Sequence, residues 1–295
     1  MPSSTDDSIQ LKDRRRLFWG FTIITLLSLF AGIIANFYVL AGVPALLLLG
    51  YLTIVDFRSI FYLLVAMLPL STEIYLPNGF GTDLPAEPLM ILMMGVFLLY
   101  AVKHVKTIEG DFYKHPISIL LYIHLGWILV TAITSGDIFV SIKFLLAKFW
   151  YVCSFYFLAA LILKERADFQ KLFWWGFTPL LLTTFYVVIR HATYGFAFAD
   201  INRVMNPFFR NHVNYACILA LFFPLIWFVR FWYPKNSLIR WGLLFSAVWM
   251  LLAIQLSYTR AAYVGIVIAF GAYFIIRMKL VRVVLVLAVI GLIGV

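Results

Sequence analysis

Outside the apolar segments of this sequence, most of the residues that could bind or act on a ligand are arginines. Arg203 and Arg210 lie seven residues apart with the Asn206-Pro207 turn between them, and such a turn can bring both side chains to one anion. The planar guanidinium group forms paired hydrogen bonds with phosphate oxygens. The pattern therefore indicates a phosphate-binding pair, with anionic lipid headgroups or an ion pair to Asp200 as alternatives.

A third arginine, Arg260, belongs to the turn Ser257-Tyr-Thr-Arg-Ala-Ala, ahead of an apolar segment that predicts a helix. Ser257 or Thr259 is expected to cap this helix, which places Arg260 in its first turn. Free N–H groups and the positive end of the helix dipole attract an anion there, so an arginine opposes the dipole unless an anion is bound. Arg260 is therefore predicted to bind an anionic ligand, the alternative being an interfacial anchor.

His212 and Asn214 are the candidates for acting on a bound substrate. Both follow the loop that carries the first two arginines, at the start of the next predicted helix. A histidine at such a place either acts as a general base or makes an interfacial hydrogen bond. Both interpretations place the start of this helix against a polar cavity.

The elements that position these residues are predicted to be membrane-spanning helices. The sequence is 64% hydrophobic and only 12% charged, with a mean hydropathy of +0.99, whereas soluble proteins are about half apolar and a quarter charged. The basic residues form short clusters between apolar runs, which is typical of membrane topology rather than of a nucleic-acid-binding surface. The predicted fold class is all-α, a polytopic transmembrane helical bundle with no nucleic-acid partner.

Apolar segments between polar breaks predict about eleven spans, each long enough to cross a bilayer except the third and the last. Residues 1–16 are predicted to form a cytoplasmic tail, and residues 17–295 a transmembrane domain. The last apolar segment has about 15 residues, too few for a comfortable crossing, so the natural protein is expected to continue beyond Val295. The predicted spans are 17–35, 37–55, 59–71, 86–102, 116–134, 140–163, 172–189, 213–229, 241–256, 261–276 and 281–295.

The distribution of positive charge predicts the orientation of these spans. When the N-terminal basic cluster is placed in the cytoplasm, all but six of the 23 lysine and arginine residues fall on the cytoplasmic side, as expected for an inner-membrane protein. The six exceptions fall in periplasmic loops or inside a span, where an unpaired charge is costly. They are Lys143, Lys148, Arg190, Arg203, Arg210 and Arg260.

Lys148 is the exception that lies deepest in a predicted span. It lies about 16 Å along the helix from Asp137, too deep for its side chain to reach the interface easily. An ionisable residue at that depth is either functional or paired with a buried carboxylate such as Glu87. Lys143 and Arg190 are interpreted as interfacial anchors, and Glu73 and Asp83 as solvated loop acids that offer a possible base.

Two segments combine these features and point to a family. One is Arg203-Val-Met-Asn-Pro-Phe-Phe-Arg-Asn-His-Val-Asn-Tyr-Ala-Cys, which leads into a span ending at Phe223-Pro224-Leu225, and the other is Ser257-Tyr-Thr-Arg-Ala-Ala. Together they resemble the core of the O-antigen ligase/O-antigen polymerase family over residues 203–276, and more loosely elsewhere. The resemblance implies a GT-C-like architecture and a glycosyltransferase of lipopolysaccharide biosynthesis that faces the periplasm.

The resemblance also assigns a substrate and residue roles. The donor would be a glycan on undecaprenyl pyrophosphate, and the acceptor would be lipid A-core or a growing polysaccharide. Arg210 and Arg260 match the family's pyrophosphate-binding residues, with Arg203 and Lys148 as further members, and His212 and Asn214 match the motif as catalytic candidates. No cofactor or metal is expected, because the sequence lacks a nucleotide-binding glycine-rich loop and an Asp-x-Asp-like site.

The chain departs from the family pattern at its C-terminus. The family carries a catalytic histidine in a large periplasmic loop after a span equivalent to the eleventh, so the present segment is expected to be inactive without a C-terminal part. Two other functions remain as alternatives: a polytopic transporter, or a non-catalytic component of polysaccharide export. A transporter would be expected to show repeated halves with interrupted helices, and the sequence shows no convincing repeat.

Overall fold

A computed structural model describes residues 4–36, 38–75, 81–104 and 110–293, and most of these residues are helical. Within these ranges, nine helices are long and apolar enough to cross a membrane. The predicted helical membrane protein is thereby confirmed, with one small β-hairpin added. The elements are α1 (Ser4–Ile34), α2 (Val43–Met67), β1 (Thr72–Tyr75), β2 (Gly81–Leu84), α3 (Ala86–Lys103), α4 (Gly110–Tyr113), α5 (Pro116–Ile133), α6 (Ile138–Val152), α7 (Ala159–Ile162), α8 (Arg166–Thr193), α9 (Ile201–Met205), α10 (His212–Val229), α11 (Leu238–Leu256), α12 (Arg260–Arg277) and α13 (Val281–Ile293).

The predicted count of about eleven spans is too high for the described residues, for two reasons. The predicted spans 37–55 and 59–71 belong to one apolar helical stretch, Leu40–Leu70. The predicted span 281–295 is represented by α13, whose 13 described residues are too short for a crossing. Helix α1 begins at Ser4, so the segment predicted as a tail is largely helical.

The structure does contain the break that was predicted between the second and third spans. The backbone of Asp56 leaves the helical region, with φ −150° and ψ 81°. Its carboxylate accepts hydrogen bonds from the N–H groups of Arg58 at 3.1 Å and Ser59 at 3.4 Å, which is how an N-cap residue satisfies the first turn of a helix. Helix α2 therefore consists of two helical segments, the second of which starts at Asp56.

The chain divides into two compact units. The first comprises the described residues of Met1–Leu63 and Met90–Ile162. In it, the Asp137 carboxylate caps α6 by accepting from the N–H of Val140 at 3.2 Å. The end of α6 widens into a π-helical turn, Cys153–Leu158. Phe157 of this turn stacks with several aromatic rings, those of Phe97, Tyr113 and Tyr122.

The second unit comprises the described residues of Leu64–Leu89 and Leu163–Val295. Helix α10 packs against both α11 and α12, because its Leu219 and Ile226 face Met250 and other buried residues in one hydrophobic core. Helix α8 packs against the turn Leu68–Leu70 that precedes the hairpin. This core supports the loops at the helix ends, where the candidate residues lie.

The β-hairpin of the second unit places two acids directly opposite each other. Strands β1 and β2 are antiparallel, and the register pairs Glu73 with Asp83. Like charges at directly opposite positions destabilise a strand pair. The hairpin therefore needs a positive group beside these two carboxylates.

Candidate functional site

Three segments meet at one end of the second unit: the hairpin strands 72–75 and 81–84, the loop 194–211 before α10 and the turn 257–259 before α12. Together with the first turns of α10 and α12, we call them the loop face. Arg210 of the loop pairs with Glu73 of the hairpin. The Tyr258 hydroxyl of the turn donates to the backbone carbonyl of Phe196 at 2.6 Å. The Phe198 ring contacts both Tyr258 and His212, with centroid distances of 5.4 and 6.0 Å.

Arg210 supplies the positive charge that the hairpin needs. Its Nη2 lies 3.1 Å from Glu73 Oε1 and 3.5 Å from Asp83 Oδ2. The Arg210 side chain is still 59% exposed, so part of its hydrogen-bonding surface faces outward. Arg210 is therefore held in place by two carboxylates before any ligand binds, and Glu73 and Asp83 are its ion-pair partners rather than only solvated loop acids.

Arg203 has a different environment from Arg210. It lies on the short helix α9 with its guanidinium over the Tyr194 ring, 5.3 Å from the centroid, which is a cation–π contact. In the part of the chain that the structure describes, neither Arg203 nor Arg210 forms an ion pair with Asp200. The structure thus gives the two arginines separate partners, and it does not bring them onto one shared group.

Arg190 has a structural role that the sequence did not reveal. Predicted as an interfacial anchor, it donates instead to the backbone carbonyl of Asn206 and to the Tyr186 hydroxyl at 3.3 Å. It thereby fastens the end of α8 to the loop that carries the other arginines. Because the main acceptor is a backbone atom, no residue type in the sequence could have signalled this contact.

Arg260 is the first residue of α12, as predicted, and Thr259 holds the N-cap position. The predicted side-chain cap is wrong, however, because the Thr259 hydroxyl donates to the Ser257 carbonyl at 3.2 Å instead of accepting from the helix. Ser257 likewise donates to Ile254 O at 2.6 Å. The first N–H groups of α12 therefore lack a side-chain cap. Arg260 itself is exposed.

Among the described residues, Arg260 is in no ion pair and in no side-chain hydrogen bond. Its charge and the open helix N-terminus both favour a negative group at this place. Arg260 differs in this respect from Arg210, whose charge is already matched by two carboxylates. Arg260 thus has a stronger demand for an external anion than Arg210 has.

His212 is held at the start of α10 by Asn202, a residue that sequence reasoning missed. The Asn202 Oδ1 atom accepts from the backbone N–H of His212 at 3.2 Å and lies 2.9 Å from its ring Nδ1. Because this oxygen only accepts, Nδ1 carries the proton, and Nε2 keeps the free electron pair that a base needs. The His212 ring is half-buried.

Asn214 contributes to the helix start through its backbone. Its N–H donates to the side chain of Asn211, the N-cap residue of α10, at 2.8 Å. The Asn214 side chain is exposed. His212 and Asn214 are thus brought to the loop face together, but only His212 has its side chain fixed by a neighbouring group.

Lys148 belongs to the first unit and therefore to a different part of the structure. Its Nζ lies over the Phe144 ring, 5.1 Å from the centroid, and it forms no ion pair with any residue that the structure describes. The carboxylate of Glu87, the alternative partner, accepts from the Thr82 hydroxyl at 2.7 Å in the second unit. Of the predicted site residues, Arg203, Arg210, His212, Asn214 and Arg260 thus lie in the second unit, and Lys148 lies in the first.

The fold and this site define a polytopic helical membrane protein that presents basic residues and one oriented histidine at the loop face. No family model matches the sequence, and no curated protein or solved structure matches it. The family resemblance therefore depends on the residues themselves.

Proposed function

We propose that the protein is a membrane glycosyltransferase of the O-antigen ligase/O-antigen polymerase type, with a GT-C-like architecture. It transfers a glycan from undecaprenyl pyrophosphate to lipid A-core or to a growing polysaccharide, on the periplasmic face of the bacterial inner membrane. The observation that supports this most is the contact of Phe198 with both His212 and Tyr258, which joins the loop that carries Arg210 to the turn that precedes Arg260.

The charge of the leaving group explains why such a site needs arginine. Cleavage of the glycan–phosphate bond leaves negative charge on the pyrophosphate, and preorganised donors that meet this charge stabilise the transition state. Arg260 is suited to this role because its guanidinium pairs with no described residue and the N–H groups of α12 lie beside it. Arg210 is the second donor, and an incoming phosphate competes with Glu73 and Asp83 for its hydrogen bonds.

The acceptor hydroxyl needs a base within hydrogen-bonding reach. His212 fits this role because Asn202 fixes its ring and leaves Nε2 as an acceptor. In the proposed step, Nε2 takes the hydroxyl proton while the hydroxyl oxygen bonds to the anomeric carbon. The bond from that carbon to the pyrophosphate oxygen breaks, and the pyrophosphate leaves with the electron pair.

The other end of the second unit supports the proposed orientation. Helix α10 runs from the loop face to Val229, about 27 Å away along its axis. Beyond it lie several cations, Arg230, Lys235 and Arg240, and Arg166 stacks near them on Trp232. Positive residues mark the cytoplasmic side of inner-membrane proteins, so the loop face is assigned to the periplasm.

The decisive experiment measures glycan transfer by the complete gene product in proteoliposomes that contain the undecaprenyl-pyrophosphate-linked glycan and an acceptor. R260A is expected to lower the transfer rate by about 100-fold, because it removes a preorganised donor to the leaving group. R277A is the matched control, since Arg277 ends the same helix and its side chain bonds, among the described residues, to Tyr273 alone.

Full transfer by R260A would overturn the proposed pyrophosphate contact. If the parent protein instead moves intact lipid-linked glycan across the vesicle membrane without transferring it, the transporter function replaces the present proposal. Equal loss of transfer in R260A and R277A would assign the effect to the stability of α12 rather than to chemistry.

A further inference from the structure

A second group of cations surrounds a cavity at the opposite end of the second unit from the loop face. The cavity has a volume of about 260 Å³ and is lined by Arg230, Lys235, Arg240, Trp241 and Leu244. We call it the basic cavity. It has no part in the proposed transfer reaction, and only its place on the cytoplasmic side rests on the orientation proposed above.

The basic cavity is positioned by the connection between α10 and α11. Arg230 begins the 3-10 turn Arg230–Trp232 that ends α10. Arg240 lies in the first turn of α11, just after Ser237, whose hydroxyl caps this helix by accepting from the N–H of Ile239 at 3.2 Å. A cation in the first turn of a helix opposes the helix dipole, as Arg260 does at the loop face.

Aromatic rings hold two of these cations close together. The Arg230 guanidinium lies 3.7 Å from the Trp227 ring centroid and 4.7 Å from that of Phe231. The Arg240 guanidinium lies 5.2 Å from the same Phe231 ring, and its Nη1 donates to Tyr233 O at 3.3 Å. Stacked guanidinium groups lose little freedom when they bind a ligand, so the cavity is preorganised.

Among the described residues, the cations of the basic cavity, Arg230, Lys235 and Arg240, form no ion pair. The sequence contains no Asp or Glu after Asp200. The nearby acids of α8, Glu165 and Asp168, are engaged with backbone N–H groups in a capping box.

One donor in this region is also without a partner. The Nε atom of Arg230 is buried and makes no hydrogen bond to any described residue. A buried N–H group without an acceptor is unfavourable, and such groups in native proteins call for an explanation. The uncompensated charge of three cations that line one cavity indicates that an anion from outside the chain completes the site.

We propose that the basic cavity binds a phosphate group, and that the ligand which carries it is the headgroup of an anionic phospholipid. Arginine matches the geometry of phosphate oxygens, and basic pockets between helices on the cytoplasmic side of a membrane bind such headgroups. The cavity lies at the ends of two membrane-spanning helices. Trp241, 61% exposed, and Leu244 give it an apolar wall, as expected where a headgroup continues into acyl chains.

The test compares lipid binding by the purified protein in detergent, measured by native mass spectrometry with phosphatidylglycerol and with phosphatidylcholine. Phosphatidylglycerol is expected to bind more tightly, and R230Q/R240Q to weaken its binding by about fivefold for each removed cation. R277Q/R282Q is the matched control, because it removes the same charge from residues that do not line the cavity. This control is expected to bind phosphatidylglycerol like the parent protein.

Two further variants guard against misfolding, since Arg230 also packs on Trp227. K235Q removes an exposed loop cation and is expected to weaken binding about fivefold without a change in thermal stability. R230K keeps the charge and is expected to bind more weakly than the parent, because an ammonium group lacks the planar fork of a guanidinium.

Inorganic phosphate distinguishes the two sources of the same chemistry. A phosphate-induced rise in thermal stability that R230Q/R240Q abolishes, with no preference between the two lipids, would overturn the lipid and assign the cavity to a free phosphate. Equal binding of both lipids without a response to phosphate would overturn the site altogether. Equal weakening by R277Q/R282Q would do so as well, because it would show general attraction rather than a built cavity.

Discussion

Replacement of Arg210 with glutamine is expected to loosen the β-hairpin, because it removes the charge that separates Glu73 from Asp83. At the observed distances of 3.1 and 3.5 Å, Coulomb's law in a water-like medium gives about 1.3 and about 1.2 kcal/mol for the two pairs. The water-like value is appropriate because the Arg210 side chain is 59% exposed.

Two further contributions change the sum of these two energies in opposite directions: the side-chain entropy of Arg210 and the repulsion between the two acids. Ordering of the long arginine side chain costs about 1.5 to 2 kcal/mol, which reduces the net stabilisation to between about 0.5 and 1 kcal/mol. Removal of the arginine also exposes the repulsion between the two opposite acids, worth between about 0.2 and 1 kcal/mol. The hairpin is therefore expected to open about tenfold more often in R210Q.

Hydrogen exchange of the backbone N–H groups in 72–75 and 81–84 measures this opening directly, because local opening controls their exchange. Exchange is expected to accelerate about tenfold in R210Q and to slow again when E73Q and D83N are added to it, since these changes remove the repulsion. The difference between parent and variant is expected to shrink at high salt, because exposed ion pairs are screened.

R203Q provides the matched control for this experiment. Arg203 is an exposed arginine of the same loop, but it stacks on Tyr194 and has no acidic partner among the described residues. Unchanged hairpin exchange in R210Q, or equal acceleration in R203Q, would refute the reasoning.

Two further predictions concern residues that fix local geometry. D56A is expected to lower the unfolding free energy by about 1 kcal/mol through loss of the N-cap inside α2, seen as a lower midpoint of thermal unfolding in detergent, whereas D56N keeps an acceptor and should lie near the parent. N202A is expected to cost the complete gene product part of the roughly 100-fold contribution of a general base. N202D keeps an oxygen acceptor for Nδ1 and should retain more transfer than N202A; full transfer by N202A would argue against His212 as the base.

The helical framework was predictable because the hydrocarbon core of a membrane restricts which sequences can cross it. Each span has to be a run of apolar residues, since backbone groups in lipid find partners only within the helix. The break at Asp56 was visible for the same reason, as a charged pair of residues, Asp56 and Arg58, within an apolar stretch. The sequence did not show whether the segments on either side of Asp56 form one helix or two, because the contacts at the break are made by backbone N–H groups.

The candidate site was only partly predictable because its contacts join distant parts of the chain. Arg210 and Arg260 could be selected as basic residues at unusual positions, but the pairing of Arg210 with Glu73 links residues far apart in the sequence. The hairpin that presents Glu73 consists of strands of only four residues, too short to show a reliable alternating pattern. Asn202 was missed because an asparagine on a five-residue helix gives no signal of the histidine that it will contact.

Both ends of the second unit carry cations that have no acidic residue near them in the sequence, because no Asp or Glu follows Asp200. In the folded protein the hairpin brings two carboxylates to Arg210, so this cation is neutralised by residues from an earlier part of the sequence. Arg260 at the loop face and the cations of the basic cavity receive no such partner among the described residues. A membrane protein retains uncompensated charge only where water or a ligand meets it. The two proposed anion-binding positions, Arg260 and the basic cavity, thus both consist of cations without an acidic partner among the described residues, whereas at Arg210 a bound phosphate would have to compete with two carboxylates.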